Sequence, residues 1–318
     1  MKNHQLRAFI AVAQHKSIRG AARALGLTQP AITRIVRELE SDLAVPLVRR
    51  SAAGIELTEF GEALEVRARL LLEEIRKTHE ELSRIKHGAA GKVALAVSPT
   101  VAMTVLPRAF DLFTAQLPGA QIDLSENSPT PGMDGLRDGT LDLIVTHLLD
   151  EPEHPFLSEF ESLVLFKCSV VIGVRHGHPR KDASCLSALL DDRWCLQSYG
   201  YHGDELGNAL FRSNGLAQPR QVLQDQSFAV GLGLAMSTDT LCLFTQPLFD
   251  SQCVPRGLQV VHVADKLPAV TVAIVRRRGV PPTPPAQRFV ECLTAAAAAQ
   301  TITIDSIVRS AAPGSAQR

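Results

Sequence analysis

The sequence has no long uncharged apolar run among its 318 residues, which excludes a predicted membrane-spanning helix. It also lacks the apolar region of a secretory signal, because residues 1–5 lead directly into an amphipathic segment. We therefore expect a cytoplasmic protein without a membrane partner. Its length is sufficient for two or three domains, and its hydrophobic content of 45% is sufficient for buried cores.

Signatures of catalysis and metal binding are missing as well. There is no nucleophile elbow, no phosphate-binding loop and no zinc signature. His176 and His178 lie in a His-Gly-His-Pro turn without acidic or cysteine neighbours, which favours a structural role. We expect no enzyme: no catalytic residue, no metal site and no cofactor. The six cysteines have no metal-ligand spacing and are expected to be small buried side chains: Cys168, Cys185, Cys195, Cys242, Cys253 and Cys292.

The whole chain has no net charge, because it contains 33 basic and 33 acidic residues. The charge is nevertheless uneven. Residues 1–60 contain nine Lys or Arg against five Asp or Glu, a local excess of four positive charges. A basic segment on a neutral chain indicates a nucleic-acid-binding head attached to another module.

Residues 14–58 carry the pattern of a helix-turn-helix. Two apolar faces at helical spacing predict two helices, the first with Ala21, Ala22, Ala24 and Leu25, the second with Ile32, Ile35, Val36 and Leu39. Gly26 can adopt the positive φ that ends a helix, and Thr28 can cap the next one. Pro30 is tolerated in the first helical turn. The polar face of the second helix carries Gln29, Thr33, Arg34 and Arg37, which suit base edges and phosphates. An ordinary surface helix pair is the alternative.

On these residues the chain resembles the LysR-type transcriptional regulators. The family's Ser-Gln-Pro-Ala is present as residues 28–31, with Thr28 in place of Ser. Its Leu-Glu and Leu-Gly-x-Pro-Leu-Phe are present as 39–40 and 43–48, with Ala44 for Gly and Val48 for Phe. Its Leu-Thr-x-x-Gly is present as 57–61. The departures, which include Gly20 in the first helix, remove no DNA-facing group.

Two short strands after the second helix, 46–48 and 54–57, predict a β-hairpin wing. Arg49 and Arg50 at its base suit phosphate contacts, which hold register without reading sequence; two merely exposed arginines are the alternative. The full set of predicted DNA contacts is Thr28, Gln29, Pro30, Ala31, Thr33, Arg34, Arg37, Arg49 and Arg50.

A long helix without proline is predicted from about residue 58 to 87. Its apolar residues alternate at spacings of three and four, as in a coiled coil: Gly61, Leu64, Ala68, Leu71, Ile75, Leu82 and Ile85, with Thr78 as a polar position. The head offers little chain to cover this seam, so we expect a second copy of the helix to cover it. Two heads would then bind a pseudo-palindromic DNA operator. The family resemblance also implies a tetramer.

Strands alternate with helices beyond the hinge at 87–91, which predicts parallel sheets covered on both faces. The order of elements resembles the two-lobed effector domain of the same family, which shares the type 2 periplasmic-binding-protein fold. We therefore expect an α/β protein with a winged helix-turn-helix at 1–58, a linker helix and hinge at 59–91, and an effector domain at 92–300. Lobe I would comprise about 92–162 and 266–300, and lobe II about 163–265. Residues 301–318 are expected to form a disordered tail.

Polar residues follow the predicted strands, where α/β folds bind ligands. Ser98 and Thr100 flank Pro99 at a strand end that opens a helix, where hydroxyl and N–H groups could bind an anion; simple capping is the alternative. In the family these two positions hold the effector. Further candidates are Ser128, Thr130, Thr146, Gln197, Ser198, Tyr199 and His202. The resemblance implies a small organic anion, and Tyr199, Tyr201 and His202 favour an aromatic one. The resemblance around residues 225–228 implies an aromatic carboxylate or a sulfonate.

These observations predict a DNA-binding transcriptional regulator whose small anionic effector binds between two lobes, and whose partners include RNA polymerase. Two alternatives stay open. Cys185 and Cys195 could form a redox switch like that of peroxide-sensing members of the family. Alternatively, the chain could be an α/β protein that binds a small molecule and whose head contacts another protein instead of DNA. The sequence does not give the effector, the operator, the target genes or the sign of regulation.

Overall fold

A computed structural model of the chain describes residues 1–51, 54–87, 91–126, 129–149, 159–197, 205–225 and 227–311. The chain divides into two compact units. The first consists of Met1–Ala89 with Asp134–Thr140, and the second of Ala90–Met133 with Leu141–Arg318. No helix among the described residues is long and apolar enough to cross a membrane.

The first unit opens with three helices and a hairpin: α1 Asn3–His15, α2 Ile18–Leu25, α3 Gln29–Leu43, β1 Val48–Ser51 and β2 Gly54–Leu57. Local sequence sets the ends of the helices. The Ser17 hydroxyl accepts a hydrogen bond from Gly20 N and caps α2. Gly26 ends α2 at φ 64°, and the Thr28 hydroxyl accepts from Ala31 N at 3.3 Å to cap α3. Ala44 ends α3 at φ 56°, a left-handed conformation that is unfavourable for alanine.

The hairpin is followed by the long helix α4, Glu59–His87, which carries the predicted coiled-coil seam. The start of this seam is not available to a partner, because Ala68 is fully buried against Phe9, Leu39 and Leu47 of its own head. This corrects the expectation that the head could not cover the helix. The second half of the seam remains exposed, at Leu71, Ile75, Leu82 and Ile85.

Lobe I of the second unit contains β3 Lys92–Val97, α5 Pro99–Thr104, α6 Leu106–Gln116, β4 Gln121–Glu126 and β5 Leu143–Leu149. Helix α7, Pro129–Asp138, begins in this unit, and its residues from Asp134 belong to the first unit. Strand β3 pairs in parallel with β4 on one side and with β5 on the other. The predicted single helix at 101–115 is divided into α5 and α6. Pro107 explains the break, because it has no N–H to continue the helical ladder.

Lobe II contains β6 Phe160–Arg175, β7 Arg193–Gln197, α8 Glu205–Ser213, β8 Gln221–Asp225, α9 Phe228–Ser237, β9 Thr240–Thr245, α10 Gln246–Leu248 and β10 Leu258–Val261. The chain then continues into β11 Ala269–Arg277 and α11 Pro284–Ala311. Strands β7, β8 and β9 are parallel. The strand order through both lobes is β4-β3-β5-β11-β6-β9-β7-β8, with β10 beside β6.

Two strands connect the lobes. β6 pairs with β11 along its first part and with β9 and β10 along its second, so one strand belongs to both lobes. The predicted lobe limit at 162/163 therefore falls inside a continuous strand. Both crossing strands run antiparallel to their neighbours, so the sheet is mixed rather than wholly parallel as predicted.

The C-terminal helix is longer than expected. We predicted a disordered tail from residue 301, but the backbone is helical to Ala311. No glycine or proline lies between Ala286 and Ala312, and the segment is rich in alanine, the strongest helix former. Residues 312–318 lie outside the described part of the chain.

Candidate functional site

The polar side of α3 and the wing line one open groove in the first unit. Its volume is about 840 Å³, and its lining includes Gln29, Pro30, Thr33, Arg34, Arg37 and Arg50. Ile32, Val36 and Leu39 hold the opposite side of α3 in the core. The predicted helical contacts Thr28, Gln29, Pro30, Arg34 and Arg37 are exposed, and Ala31 and Thr33 are half-buried.

Two polar side chains of the groove are engaged within α3 itself. The Arg34 Nε donates to Glu38 Oε1 at 2.8 Å, and 82% of the Arg34 side chain is exposed. This ion pair orients Arg34 while leaving its guanidinium at the groove. Thr33 Oγ1 donates to the Gln29 carbonyl at 3.0 Å, so its hydroxyl is partly engaged within the helix.

The two wing arginines occupy different positions from those predicted. Both lie within β1 rather than in the connection between the strands. Alternate residues of a strand face opposite sides. Arg49 pairs with Glu56 of β2 at 3.1 Å, whereas Arg50 lines the groove with α3. Arg50 is therefore the wing cation that shares a surface with the helix.

A set of hydrogen bonds fixes the wing against α3 and α4. Glu40 Oε1 accepts from Leu47 N at 2.7 Å and from Val48 N at 3.1 Å. Thr58 donates its hydroxyl to Pro46 O at 2.6 Å, and the same hydroxyl accepts from Gly61 N. A Cβ at Gly61 would lie 2.1 Å from the Leu47 carbonyl oxygen, so only glycine fits there. Glu40, Thr58 and Gly61 belong to the family motifs found in the sequence, but the sequence did not show that they hold the wing.

The second unit brings together polar residues from both lobes. Thr100 of α5 is fully buried, and its Oγ1 lies 2.8 Å from Thr245 Oγ1 at the end of β9. His147 Nε2 lies 2.9 Å from the same Thr100 oxygen. Burial lowers the pKa of His147 to about 4, so its ring is neutral near pH 7. The lobes therefore meet at an uncharged chain of hydrogen bonds.

Ser98 does not cap the following helix. Its hydroxyl is buried and has no hydrogen-bond partner among the described residues, although the residue occupies the N-cap position of α5. The anion site predicted at the helix start is smaller than expected, because Pro99 has no N–H and Ser98 N already donates to Val145 O at 2.8 Å. The Ser98 hydroxyl is therefore a donor that is available to a ligand.

Two family descriptions match the chain. The description "LysR substrate binding domain" matches residues 86–298, and "Bacterial regulatory helix-turn-helix protein, lysR family" matches residues 3–62. The chain belongs to the LysR family. It is a DNA-binding transcriptional regulator with an effector-binding domain.

Individual LysR relatives agree with this assignment. The HTH-type transcriptional regulator GbpR of Rhizobium radiobacter is 30% identical over 251 residues, which are 76% of this chain and 81% of that protein. The probable hydrogen peroxide-inducible genes activator of Streptomyces viridosporus is 36% identical over 198 residues, 61% of this chain and 63% of that one. The solved structure of full-length CbnR complexed with its target DNA has a TM-score of 0.64 and 24% identity. It covers 93% of this chain and 100% of that chain, which shows the fold.

The remaining effector candidates of this LysR chain are only partly described. Thr146 is buried in β5. Thr130 and Gln197 lie in α7 and at the end of β7, respectively. Ser128, Ser198, Tyr199 and His202 lie outside the described residues. Thr146 was predicted to end its strand, but β5 continues to Leu149. Thr245 was missed from the sequence, although it is the polar last residue of the buried strand β9.

The thiols do not form the pair considered from the sequence. Cys195 lies on the face of β7 opposite Trp194 and Leu196, and its cluster contains Cys242. Cys185 precedes Leu186, which packs on the Trp194 face, and the Cys185 Sγ lies 3.2 Å from Ser187 Oγ. Both cysteines are free. The sheet therefore separates the two thiols, so the redox alternative is not favoured.

Proposed function

We propose that this LysR-type regulator reads operator DNA with the groove between α3 and the wing. The observation that carries the proposal is that Gln29, Thr33, Arg34 and Arg37 share this groove with Arg50. In this arrangement α3 enters the major groove, where Gln29, Arg34 and Arg37 contact base edges. Arg50 and the capped start of α3, at Thr28, Pro30 and Ala31, lie against phosphates. Arg49 acts through its ion pair with Glu56.

The regulator binds DNA as a dimer. The second half of the α4 seam supports this, because its four large apolar side chains, Leu71, Ile75, Leu82 and Ile85, are exposed on the described chain. Two heads then bind two half-sites of a pseudo-palindrome. A dimer of dimers, contact with RNA polymerase and action in the cytoplasm follow from the family and remain part of the proposal.

A small organic anion is the proposed effector, bound where Thr100, Thr245 and His147 join the two lobes. The unpaired Ser98 hydroxyl supports an acceptor group on the ligand. Binding favours one angle between the lobes, and the linker helices transmit this preference to the spacing of the heads.

Measurements of operator affinity test the proposed DNA-binding surface. Arg34→Ala combined with Arg37→Ala should weaken specific binding by about 1–3 kcal/mol for each arginine that reads a base. Arg50→Ala should weaken binding to all sequences alike and lower the salt dependence, whereas Arg49→Ala should have a smaller effect. The control is Arg180→Ala with Arg220→Ala, which removes two charges from surface ion pairs of the second unit. Equal losses in the control and the head variants would contradict the proposal.

A further inference from the structure

An acidic side chain lies in the groove that presents three arginines to DNA. Glu38 lines this groove together with Arg34, Arg37 and Arg50. A carboxylate at this position repels the phosphates and so lowers the affinity for DNA of any sequence. General attraction to DNA therefore does not explain why an acid stands here.

The fold explains the other two acidic residues in the second half of α3, but not Glu38. Glu40 holds the start of the wing through two backbone N–H groups. Asp42 accepts a hydrogen bond from Gln5 Nε2 and pairs with the N-terminal ammonium group. In the described part of the chain, the side chain of Glu38 has a single polar contact, its ion pair with Arg34. The role of Glu38 must therefore be sought in Arg34.

Helix stability does not account for this ion pair. Arg34 precedes Glu38 by four residues, whereas an acid that precedes the base is the more stabilising order in a helix. Both side chains also face solvent, with 82% of Arg34 and 45% of Glu38 exposed. An exposed pair at this spacing contributes little to the stability of a fold. Its main consequence is the direction in which the arginine points.

The ion pair determines which edge of Arg34 can reach a base. Arg34 Nε donates to Glu38 Oε1 at 2.8 Å. The terminal Nη1 and Nη2 groups have no partner in the described chain, and they can donate together to O6 and N7 of one guanine in the major groove. Fixing Nε also orders a long side chain before DNA is bound, which lowers the entropy cost of the base contact.

We propose that Glu38 is a positioning residue that makes Arg34 selective for guanine. This inference rests on the proposed function, because it assumes that α3 lies in the major groove. Glu38 fixes the guanidinium so that its terminal edge meets guanine, and its negative charge weakens binding wherever that contact is missing. The regulator thus loses affinity for DNA in general and gains discrimination at one base pair.

Binding of the full-length protein to defined DNA duplexes tests this role. The wild-type protein first selects a preferred duplex from a randomised pool, and all single-base-pair variants of that duplex are then measured beside a scrambled duplex. In Glu38→Ala, the preference for one G·C pair should fall about threefold or more, and the scrambled duplex should bind about two- to threefold more tightly. Glu38→Gln has no charge but keeps an oxygen that can accept from Arg34 Nε. It should bind the scrambled duplex like Glu38→Ala and retain most of the preference.

Two further variants show whether Glu38 acts through Arg34. Arg34→Ala should lose the preference for the same G·C pair, which identifies the base pair that Arg34 reads. In the Arg34→Ala background, Glu38→Ala should not change this preference further, because the residue that it positions is gone. Glu62→Ala removes an exposed carboxylate of α4 and should leave the preference unchanged.

The outcomes separate this inference from the proposed DNA-binding surface. If Arg34→Ala loses the preference but Glu38→Ala keeps it, the role of Glu38 is wrong and the surface stands. The same conclusion follows if Glu38→Ala alters a different base pair, or if Glu38→Gln loses the preference as fully as Glu38→Ala. If Arg34→Ala binds every duplex like the wild type, the proposed surface is wrong, and the inference fails with it.

Discussion

Replacing Glu40 by alanine should loosen the wing, although Glu40 faces no DNA. One carboxylate oxygen accepts from both Leu47 N and Val48 N, the residues that lead into β1. Without it, two partly buried N–H groups lose a charged acceptor. Hydrogen bonds to charged groups contribute about 1.5–3 kcal/mol each, and water can replace part of this at a partly buried site. We expect local opening to become easier by about 2–3 kcal/mol.

Hydrogen exchange on the full-length protein measures this effect directly. Amides in residues 44–51 should exchange about 30- to 150-fold faster in Glu40→Ala, and operator affinity should fall because Arg50 is no longer held beside α3. Glu40→Gln keeps a neutral acceptor and should give an intermediate rate. Glu62→Ala removes an exposed carboxylate of α4 as a control. Unchanged exchange in Glu40→Ala, or an equal increase in Glu62→Ala, would refute the assignment of Glu40 as the anchor of the wing.

Three further outcomes are expected. Gly61→Ala should destabilise the head by about 1–3 kcal/mol, because the new Cβ would clash with the Leu47 carbonyl oxygen. Gly233→Ala lies at an open position of α9 and should instead stabilise the protein by about 0.5–1 kcal/mol. Urea unfolding measures both changes. Ala44→Gly should raise the melting temperature by relieving a left-handed alanine at φ 56°, a gain of about 0.5–1 kcal/mol; a lower melting temperature would contradict this. The pKa of His147, lowered to about 4 by burial, should make stability fall as the pH drops from about 6.5 to 4, because only the unfolded chain binds the proton there. The loss is at most about 3 kcal/mol, and a His147→Gln variant with the same pH dependence would exclude this cause.

Features set by neighbouring residues could be predicted from the sequence. The end of α2 at Gly26 and the cap of α3 at Thr28 depend on groups a few residues apart, and both are confirmed. The apolar spacing of α3 likewise placed Ile32, Val36 and Leu39 in the core correctly. Such signals need only the period of a helix and the conformational preferences of single residues.

Features that depend on distant segments were predicted less well. The α4 seam was correct as a pattern, but the pattern could not show that Ala68 packs beneath Phe9 and Leu47. Arg49 and Arg50 were predicted together, and only the pairing of β1 with β2 shows that they face different sides. A sequence pattern gives the face of an element, whereas the neighbour on that face depends on the tertiary fold.

The junction between the lobes shows why effector chemistry was the hardest part to predict. Thr100 and Thr245 are 145 residues apart, and their contact exists only because β6 and β11 bring the lobes together. From the sequence, Ser98 and Pro99 indicated an anion site built on helix N–H groups, but Ser98 N is bonded to Val145 O in the structure. The structure instead shows that the Ser98 hydroxyl is buried without a hydrogen-bond partner among the described residues. The sequence could not distinguish Ser98 from Thr100, because only the fold brings Thr245 and His147 to the Thr100 hydroxyl and leaves the Ser98 hydroxyl available to a ligand.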